Sequence, residues 1–392
     1  MDAYFLPIGT AAWQFPIIAA LLTLPYAVYS YRKYGAVSAY RSLLLFSMLF
    51  YLQCAFYLVI LPLPDPSEVA KMTGPYAELT PFRNVYDFIV KSSFDPARPS
   101  TWLRALRESY FLEPLFNLTL TIPFGVYLAY YFRKSLKKVI LFSFLLSAFF
   151  ELTQLTGLFF LYPRPYRLFD INDLLLNTLG GVCGCLIYTR FLQKLPSKRR
   201  IDERSLEKSA RVGFVRRLVA LLIDSLVILA IDLLLGLFAG GGVPYSGSLV
   251  FFVYYPAFAL ALRGRTPGKL LVKIRIERID GGVSPHLSIC LRYVLRNAFL
   301  LALQFLSHLI PEIETRQQAV FVVVFLLAVA FSFVDLCLSF RRGRRLWYEM
   351  LSKTRNASSF ADDRVPKRRE SAADGRNTDP AEAKDAHETD GV

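Results

Sequence analysis

The sequence predicts an all-α, polytopic integral membrane protein of about nine transmembrane helices, and three observations carry that prediction. Apolar residues fill 54% of the 392 positions and mean hydropathy is +0.37, more than a soluble domain needs for its core. They fall in runs close to the ~20 residues that cross a hydrocarbon layer. Basic residues cluster at the ends of alternate runs, the pattern of a chain threaded back and forth through a bilayer.

The runs cover 11–30, 42–63, 115–132, 138–161, 171–192, 214–238, 247–262, 289–310 and 318–340. The seventh is short, and the eighth carries Arg292 and Arg296 near its start. Arg32, Lys33 and Arg41 follow the first run, and Arg133, Lys134, Lys137 and Lys138 follow the third. Lys194, Lys198, Arg199 and Arg200 follow the fifth, Arg263 and Arg265 the seventh, and Arg341, Arg342, Arg344 and Arg345 the ninth. With nine spans these clusters share one side, so the N-terminus is expected outside and the C-terminus in the cytoplasm. The first run lacks a preceding basic stretch and a small-residue cleavage pattern, and reads as a span rather than a signal peptide.

The loops differ in kind. Pro64 to Glu113 is long and rich in Tyr, Phe, Trp and Pro, and reads as an external interfacial or re-entrant cap. Residues 193–212, "QKLPSKRRIDERSLEKSARV", form a charged cytoplasmic linker between a membrane domain at 1–192 and a second at 213–355. Residues 356–392 are polar, mixed in charge and without an apolar period, and are expected to be a disordered cytoplasmic tail. No internal repeat is evident.

The formal charge of +15, from 46 basic against 31 acidic residues, sits in the boundary clusters. With no basic helix and no RNA-type aromatic motif, nucleic acid is set aside and membrane lipids are the expected partners. The five cysteines (Cys54, Cys183, Cys185, Cys290, Cys337) lie in or beside apolar runs and imply neither a disulfide framework nor a metal site. Cys183 and Cys185, two apart on a helix, point in different directions. No cofactor and no catalytic residue is expected, because the external loops offer no nucleophile with a base in recognisable spacing. A metal ligand set is left open.

One stretch, "ELTQLTGLFFLYPRPYRLFDINDLLLNTLGG" from Glu151 to Gly181, is too polar for its surroundings. Glu151 and Gln154 are three apart, and Asp170, Asp173 and Asn177 are spaced by three and four, so each set shares a helix face. The intervening turn, with Arg164 and Arg167, brings the two faces together near the outer leaflet. An Asp at mid-membrane costs roughly 2.5–3.5 kcal/mol on insertion scales, so these side chains must meet each other or water. Gly180, Gly181 and Gly184 would let another helix approach closely. A structural reading has Arg167 neutralising an acid, Asp170 capping a helix and Asn177 bridging backbones. A functional reading, favoured by three carboxylates against one or two arginines, is an external pocket for a divalent cation, a lipid head group or a sugar.

Together with "FNLTLTIPFG" (Asn117, Pro123, Gly125), this stretch resembles the VanZ-like family over residues 10 to 192. The resemblance implies a five-helix bundle whose polar set falls on Asn117, Glu151, Gln154, Arg167, Asp170, Asp173 and Asn177. Some members of that family are associated with resistance to glycopeptide antibiotics, particularly teicoplanin.

In "FVRRLVALLIDSLVILAIDLLLGL", Arg217 precedes Asp224 by seven residues. Two turns place the arginine at the cytoplasmic boundary and the acid about 10 Å deeper on the same face. With "GRTPGKLLVKIRIERIDGG", which holds a strand-like alternation and an Asp280-Gly281 turn, this resembles the RDD family over 212 to 355. Where the family has an aspartate and, five residues on, a threonine, "RRLWYEMLSKT" supplies Glu349 and Thr354. Arg217, Asp224, Asp335 and Glu349 are the candidate ion or proton site, with Asp232 a further acid inside the sixth run. "GRTPGK" is not a phosphate-binding loop, because its lysine is followed by Leu270; it reads as a tight cytoplasmic turn with Lys269 facing phospholipid. His286 and His308 are isolated and incidental.

The leading expectation is a cell-envelope factor of the bacterial cytoplasmic membrane that binds a lipid-linked or cell-wall-related ligand, such as a cell-wall precursor, in the external cleft. The alternative, implied by the RDD resemblance, is a transporter exchanging cations for protons. A third reading is a scaffold without a ligand.

Overall fold

The computed structural model describes residues 2–238, 246–262, 264–296 and 346–360. The chain is mostly helical and forms two compact units. Unit 1 comprises Met1–Thr23 and Ser38–Asp202, and unit 2 comprises Leu24–Val37 and Glu203–Val392. Helix α1 (Asp2–Tyr34) contributes its first part to unit 1 and its last to unit 2.

The long helices of unit 1 are α2 (Ala39–Ile60), α6 (Ser109–Tyr130), α7 (Leu136–Leu155) and α9 (Ile171–Phe191). Between α2 and α6 lie α3 (Pro66–Val69), β1 (Ala77–Glu78), α4 (Arg83–Lys91) and α5 (Pro99–Ala105). Between α7 and α9 lie α8 (Gly157–Phe160) and β2 (Phe169–Asp170), and α10 (Lys198–Ser209) follows α9. β1 pairs with β2 in parallel, Ala77 opposite Phe169 and Glu78 opposite Asp170.

α7 stops at Leu155, short of the expected 161, because the backbone changes hand. Gly157, Leu158, Phe159 and Phe160 all take φ between +56 and +66. A left-handed turn costs L-residues roughly 1–2 kcal/mol each, and only the glycine adopts it freely. The turn is pinned by the Phe159 amide donating to Thr156 Oγ1 at 3.1 Å and the Tyr162 amide donating to Gly157 O at 3.0 Å.

α9 lies between α6 and α7, and small residues bring the helices into backbone contact. A Cβ on Gly180 would overlap the Leu118 carbonyl oxygen, one on Gly184 the Ile122 carbonyl oxygen, and one on Gly125 the Gly181 carbonyl oxygen. On the α7 side, a Cβ on Gly181 would overlap Ser143 Oγ. At this range polar groups can join the helices directly: Thr121 Oγ1 donates to Asn177 O at 2.6 Å, and Asn177 Nδ2 donates to Ser147 Oγ at 3.0 Å.

Unit 2 is built from α11 (Phe214–Phe238), α12 (Ser246–Ala261), α13 (Pro267–Leu271), β3 (Ile274–Arg278), the helical residues 286–296 (α14), α15 (Trp347–Leu351) and β4 (Thr354–Ser358). Its core joins Ala27 and Tyr31 of α1 to Val219, Ala220 and Ile223 of α11 and to Val272 and Ile274. β3 and β4 pair antiparallel, from Ile274 opposite Ser358 to Arg278 opposite Thr354.

Six described helices are long and apolar enough to cross a membrane: α1 from Phe5, α2, α6, α7, α9 and α11. The seventh expected run falls on α12, a helix of 16 residues. The eighth is described only to residue 296, and the ninth lies outside the described residues. Two expectations need correction. The fold is not strictly all-α, since the alternation at 274–278, with Ile274 and Ile276 buried, forms a strand because a partner exists. That partner, β4, carries ordered structure to Ser358, so residues 356–358 belong to the second unit rather than to a disordered tail.

Gly180→Ala should therefore destabilise the protein by about 1–3 kcal/mol, the usual cost of overpacking. Gly9→Ala, where nothing lies within 4 Å of the added carbon, should be neutral or slightly stabilising. Thermal unfolding in detergent compares the two directly, and equal midpoints would remove the close-packing account of α6 and α9.

Candidate functional site

Unit 1 collects its acids where α7, β2 and α9 meet. Glu151, buried near the end of α7, accepts the Asp170 amide on Oε2 at 2.9 Å. Asp170 is the N-cap of α9: its Oδ1 accepts the Asn172 amide at 2.7 Å and Asn172 Nδ2 at 2.8 Å. Asp173 follows in the first turn and takes a hydrogen bond from Asn117 of α6. The three carboxylates are close enough to repel one another.

Amides fill the gaps between helices. Gln154 Nε2 reaches Val59 O of α2 at 3.3 Å, and Asn172 Nδ2 also reaches Thr80 O at 3.0 Å. Asn177, 3% exposed, bonds Ser147 through its NH₂ and leaves its Oδ1 without a partner among the described residues. The expected set of Asn117, Glu151, Asp170 and Asp173 is thus brought together, with Asn177 a turn below and Gln154 turned toward α2.

The arginines behave differently from the structural expectation. Arg167 does not neutralise an acid; its Nη2 donates to Leu61 O at 2.9 Å. Arg164 donates to Gly74 O at 3.1 Å and to Met72 O, and stacks over the Tyr76 ring at 4.9 Å. Tyr162 and Tyr166 bond Pro64 O and Ile60 O, both at 2.9 Å. The turn between α7 and α9 is thereby tied to the end of α2 through backbone carbonyls, which leaves the carboxylates without a salt-bridge partner among the described residues.

Unit 2 presents a denser network, in which Arg217 Nε and Asn356 Oδ1 stay without a partner among the described residues. Asp224, 2% exposed, accepts Tyr254 OH at 2.8 Å and the Gly268 amide at 2.7 Å on Oδ1, and Thr266 Oγ1 at 2.6 Å on Oδ2. Gly268 is required there, since a Cβ would overlap the Ala220 carbonyl. The acid therefore holds the "GRTPGK" turn against α11.

Arg217 does not meet Asp224. It pairs with Glu349 at 3.3 Å, as does Arg292 at 2.8 Å, and Asn356 Nδ2 adds a third donor to the same Oε1 at 3.1 Å. Arg292 also donates to Thr354 Oγ1 at 2.7 Å and lies over the Tyr348 ring at 5.2 Å. Asp232 is half-buried on α11, and Asp335 lies outside the described residues.

Arg216, which the sequence did not single out, is the more deeply buried arginine of the doublet at 2% exposed. Its acceptors are uncharged: Val272 O at 2.7 Å, Lys273 O at 2.8 Å, Ser209 O at 3.0 Å and Ser358 Oγ at 3.0 Å. The Tyr31 ring lies 5.3 Å from its guanidinium carbon.

Lys269 corrects another expectation. It does not face phospholipid: it is 7% exposed, donates to Tyr293 OH at 2.8 Å and sits 4.8 Å from that ring's centre. Burial pushes its pKa well below the ordinary 10.5, with repulsion from Arg292 and Arg296 adding to the effect and Asp224 and Glu349 opposing it. Among the described residues no cluster of His, Cys, Asp and Glu has the makings of a metal site.

These features define a multi-pass membrane protein of two helical modules, each with ionisable side chains committed to its interior. Residues 48–193 match the VanZ/LLP1 family and residues 211–353 match the RDD family. The chain thus joins a VanZ-like region to an RDD region, in that order. No curated protein and no solved structure matches it.

A lysine whose folded pKa is depressed binds fewer protons folded than unfolded, so stability rises with pH between the lowered value and about 10.5. Lys269→Met should raise the unfolding midpoint near neutral pH and flatten its rise toward pH ~10. Melting the two proteins across that range checks this, and parallel curves would show that Lys269 is paired and charged throughout.

Proposed function

We propose that the protein is a cell-envelope factor of a bacterial cytoplasmic membrane. Its VanZ-like region binds a lipid or cell-wall-related ligand of the kind connected with glycopeptide, teicoplanin-type, resistance. The observation that carries this reading is the disposition of charge in unit 1. Glu151, Asp170 and Asp173 converge, while the two nearby arginines are committed to backbone carbonyls. A ligand presenting hydroxyl, amide or ammonium donors would complete that arrangement.

The basic clusters support the topology this requires. With the N-terminus outside and the C-terminus in the cytoplasm, the turn between α7 and α9 opens on the outer leaflet, where cell-wall intermediates are handled. Membrane lipids are the standing partners in this reading, and a lipid-linked cell-wall precursor is the candidate ligand. Neither a cofactor nor a bond-making residue enters it.

The alternative is cation/proton exchange through the RDD region, with Arg217, Asp224, Asp335 and Glu349 as the site. The geometry of Asp224 weighs against it. An acid already accepting three short hydrogen bonds from neutral donors has little capacity left for a travelling ion.

The Asp170→Asn/Asp173→Asn variant removes both charges while keeping a good N-cap and the shape of the site. Cells carrying it should lose glycopeptide tolerance at unchanged protein level, and a head-group lipid that co-purifies with the native protein should be missing by mass spectrometry. Unchanged tolerance and an identical lipid profile would sink the ligand reading and move the weight to the RDD region.

A further inference from the structure

The segment between α2 and α6 wears its apolar residues on the outside. Within α4, Phe88 turns toward the body of unit 1, its ring 5.9 Å from Phe111 of α6 and 5.2 Å from Phe94. The opposite face consists of Val85, Tyr86, Ile89 and Val90, each more than half exposed, and no residue of α4 is buried. Its charges do not offset this: Asp87 bridges Arg83 at 3.1 Å and Lys91 at 2.9 Å along the flank. On α5, Leu103 is 62% exposed and Trp102 is 45% exposed with its Nε1 already donating to Asp95 O.

A second, separate element presents the same chemistry. The left-handed turn at 157–160 projects Phe160 and Leu161 outward, 84% and 75% exposed. Tyr162 and Arg164 tie that tip to Pro64, Met72 and Gly74 of the same inter-helix segment. Two stretches distant in sequence therefore carry bulky apolar side chains at one end of one unit.

We propose that α4, α5 and the 158–161 tip form a bilayer-binding surface lying in the boundary between head groups and acyl chains. The occupant follows from what flanks the surface. Both neighbours of the segment, α2 and α6, are membrane-crossing helices, and α4 is seated on the opening turns of α6. Its outward face is therefore held at the depth where that span leaves the hydrocarbon. Tyr86, Trp102 and Tyr110 are the amphipathic rings that favour this layer. From α4 to the start of α6 the basic residues Arg83, Lys91, Arg98, Arg104 and Arg107 outnumber Asp87, Asp95 and Glu108, an excess that suits phosphate, while Asp65, Glu68 and Glu78 against Lys71 balance it over the rest of the segment.

The surface has a consequence for the polar cluster, and this part alone rests on the ligand reading. β1 pairs with β2, and Thr80 O accepts from Asn172, so the segment is fastened to the Asp170 cap. The part-exposed Asp170 and Asp173 then open at head-group depth, with Glu151 buried beneath them, and a ligand reaches them sideways from the lipid, which suits an amphiphile with a donor-rich head.

The test uses the full chain in vesicles. The protein has three tryptophans, and Trp13→Phe/Trp347→Phe leaves native Trp102 as reporter. In proteoliposomes made with lipids brominated near the top of the acyl chains, Trp102 should lose most of its emission, while aqueous iodide quenches it weakly. Ile89→Trp in the background of Trp13→Phe/Trp102→Phe/Trp347→Phe should behave alike. Quenching by iodide and not by bromine would put the surface in water and overturn the proposal. Protection from both would mean that a second copy or another protein covers it, and would overturn it equally.

Discussion

Hydrocarbon offers no hydrogen bonds, so every polar group carried into it must be met by another group of the protein or be left at a loss of several kcal/mol. Both units are organised around that requirement. In unit 1 the glycine face of α9 admits α6 and α7 so closely that a threonine hydroxyl reaches a helix carbonyl and an asparagine spans to a serine. That same approach sets Asp173 against Asn117 and Glu151 against the start of α9. Larger residues at the glycine positions would part the helices and dissolve the polar cluster along with the packing.

The two units answer the requirement in opposite ways. Unit 2 partners its acids: Asp224 is held by a tyrosine, a threonine and a backbone amide, and Glu349 by two guanidinium groups and an asparagine. Such a network fixes the turn at 264–268 and the β3–β4 ladder in place. Unit 1 gathers acids and sends its arginines elsewhere, which is a poor arrangement for stability alone. That contrast is the ground for proposing ligand chemistry in the VanZ-like region before the RDD region.

Much of this was legible in the sequence because helical spacing is a strong signal. Glu151 with Gln154, and Asp170 with Asp173 and Asn177, stand out at intervals of three and four on otherwise apolar helices, and Gly180, Gly181 and Gly184 announce a close neighbour. Arg167 was misjudged because its acceptor is a backbone carbonyl, which every residue carries and no composition reveals. The burial of Arg216 rather than Arg217 was equally hidden. On a helix apolar all round, periodicity does not say which side faces the protein, and its acceptors lie at residues 209, 272, 273 and 358. Lys269 beside Tyr293, and Tyr254 on Asp224, are contacts of tertiary structure with no local trace, and Arg292 in an apolar run reads only as a weakness of the eighth span, not as the sign of a buried partner. The left-handed turn at 157–160 carries one readable sign, Gly157, followed by three bulky residues that a propensity argument would never place there.

Arg216 depends on acceptors made at very different moments of synthesis. Ser358, the last of them, is added 142 positions after the arginine itself. A ribosome delivering α11 to the membrane therefore delivers a guanidinium whose surroundings are still being translated, at the very threshold of an apolar helix. Insertion must come first and closure of the socket last, so the order of the genetic message sets the order of assembly. A chain cut short ahead of β4 would leave that charge permanently half-housed, a defect that surveillance proteases of the membrane could read as the mark of an unfinished protein.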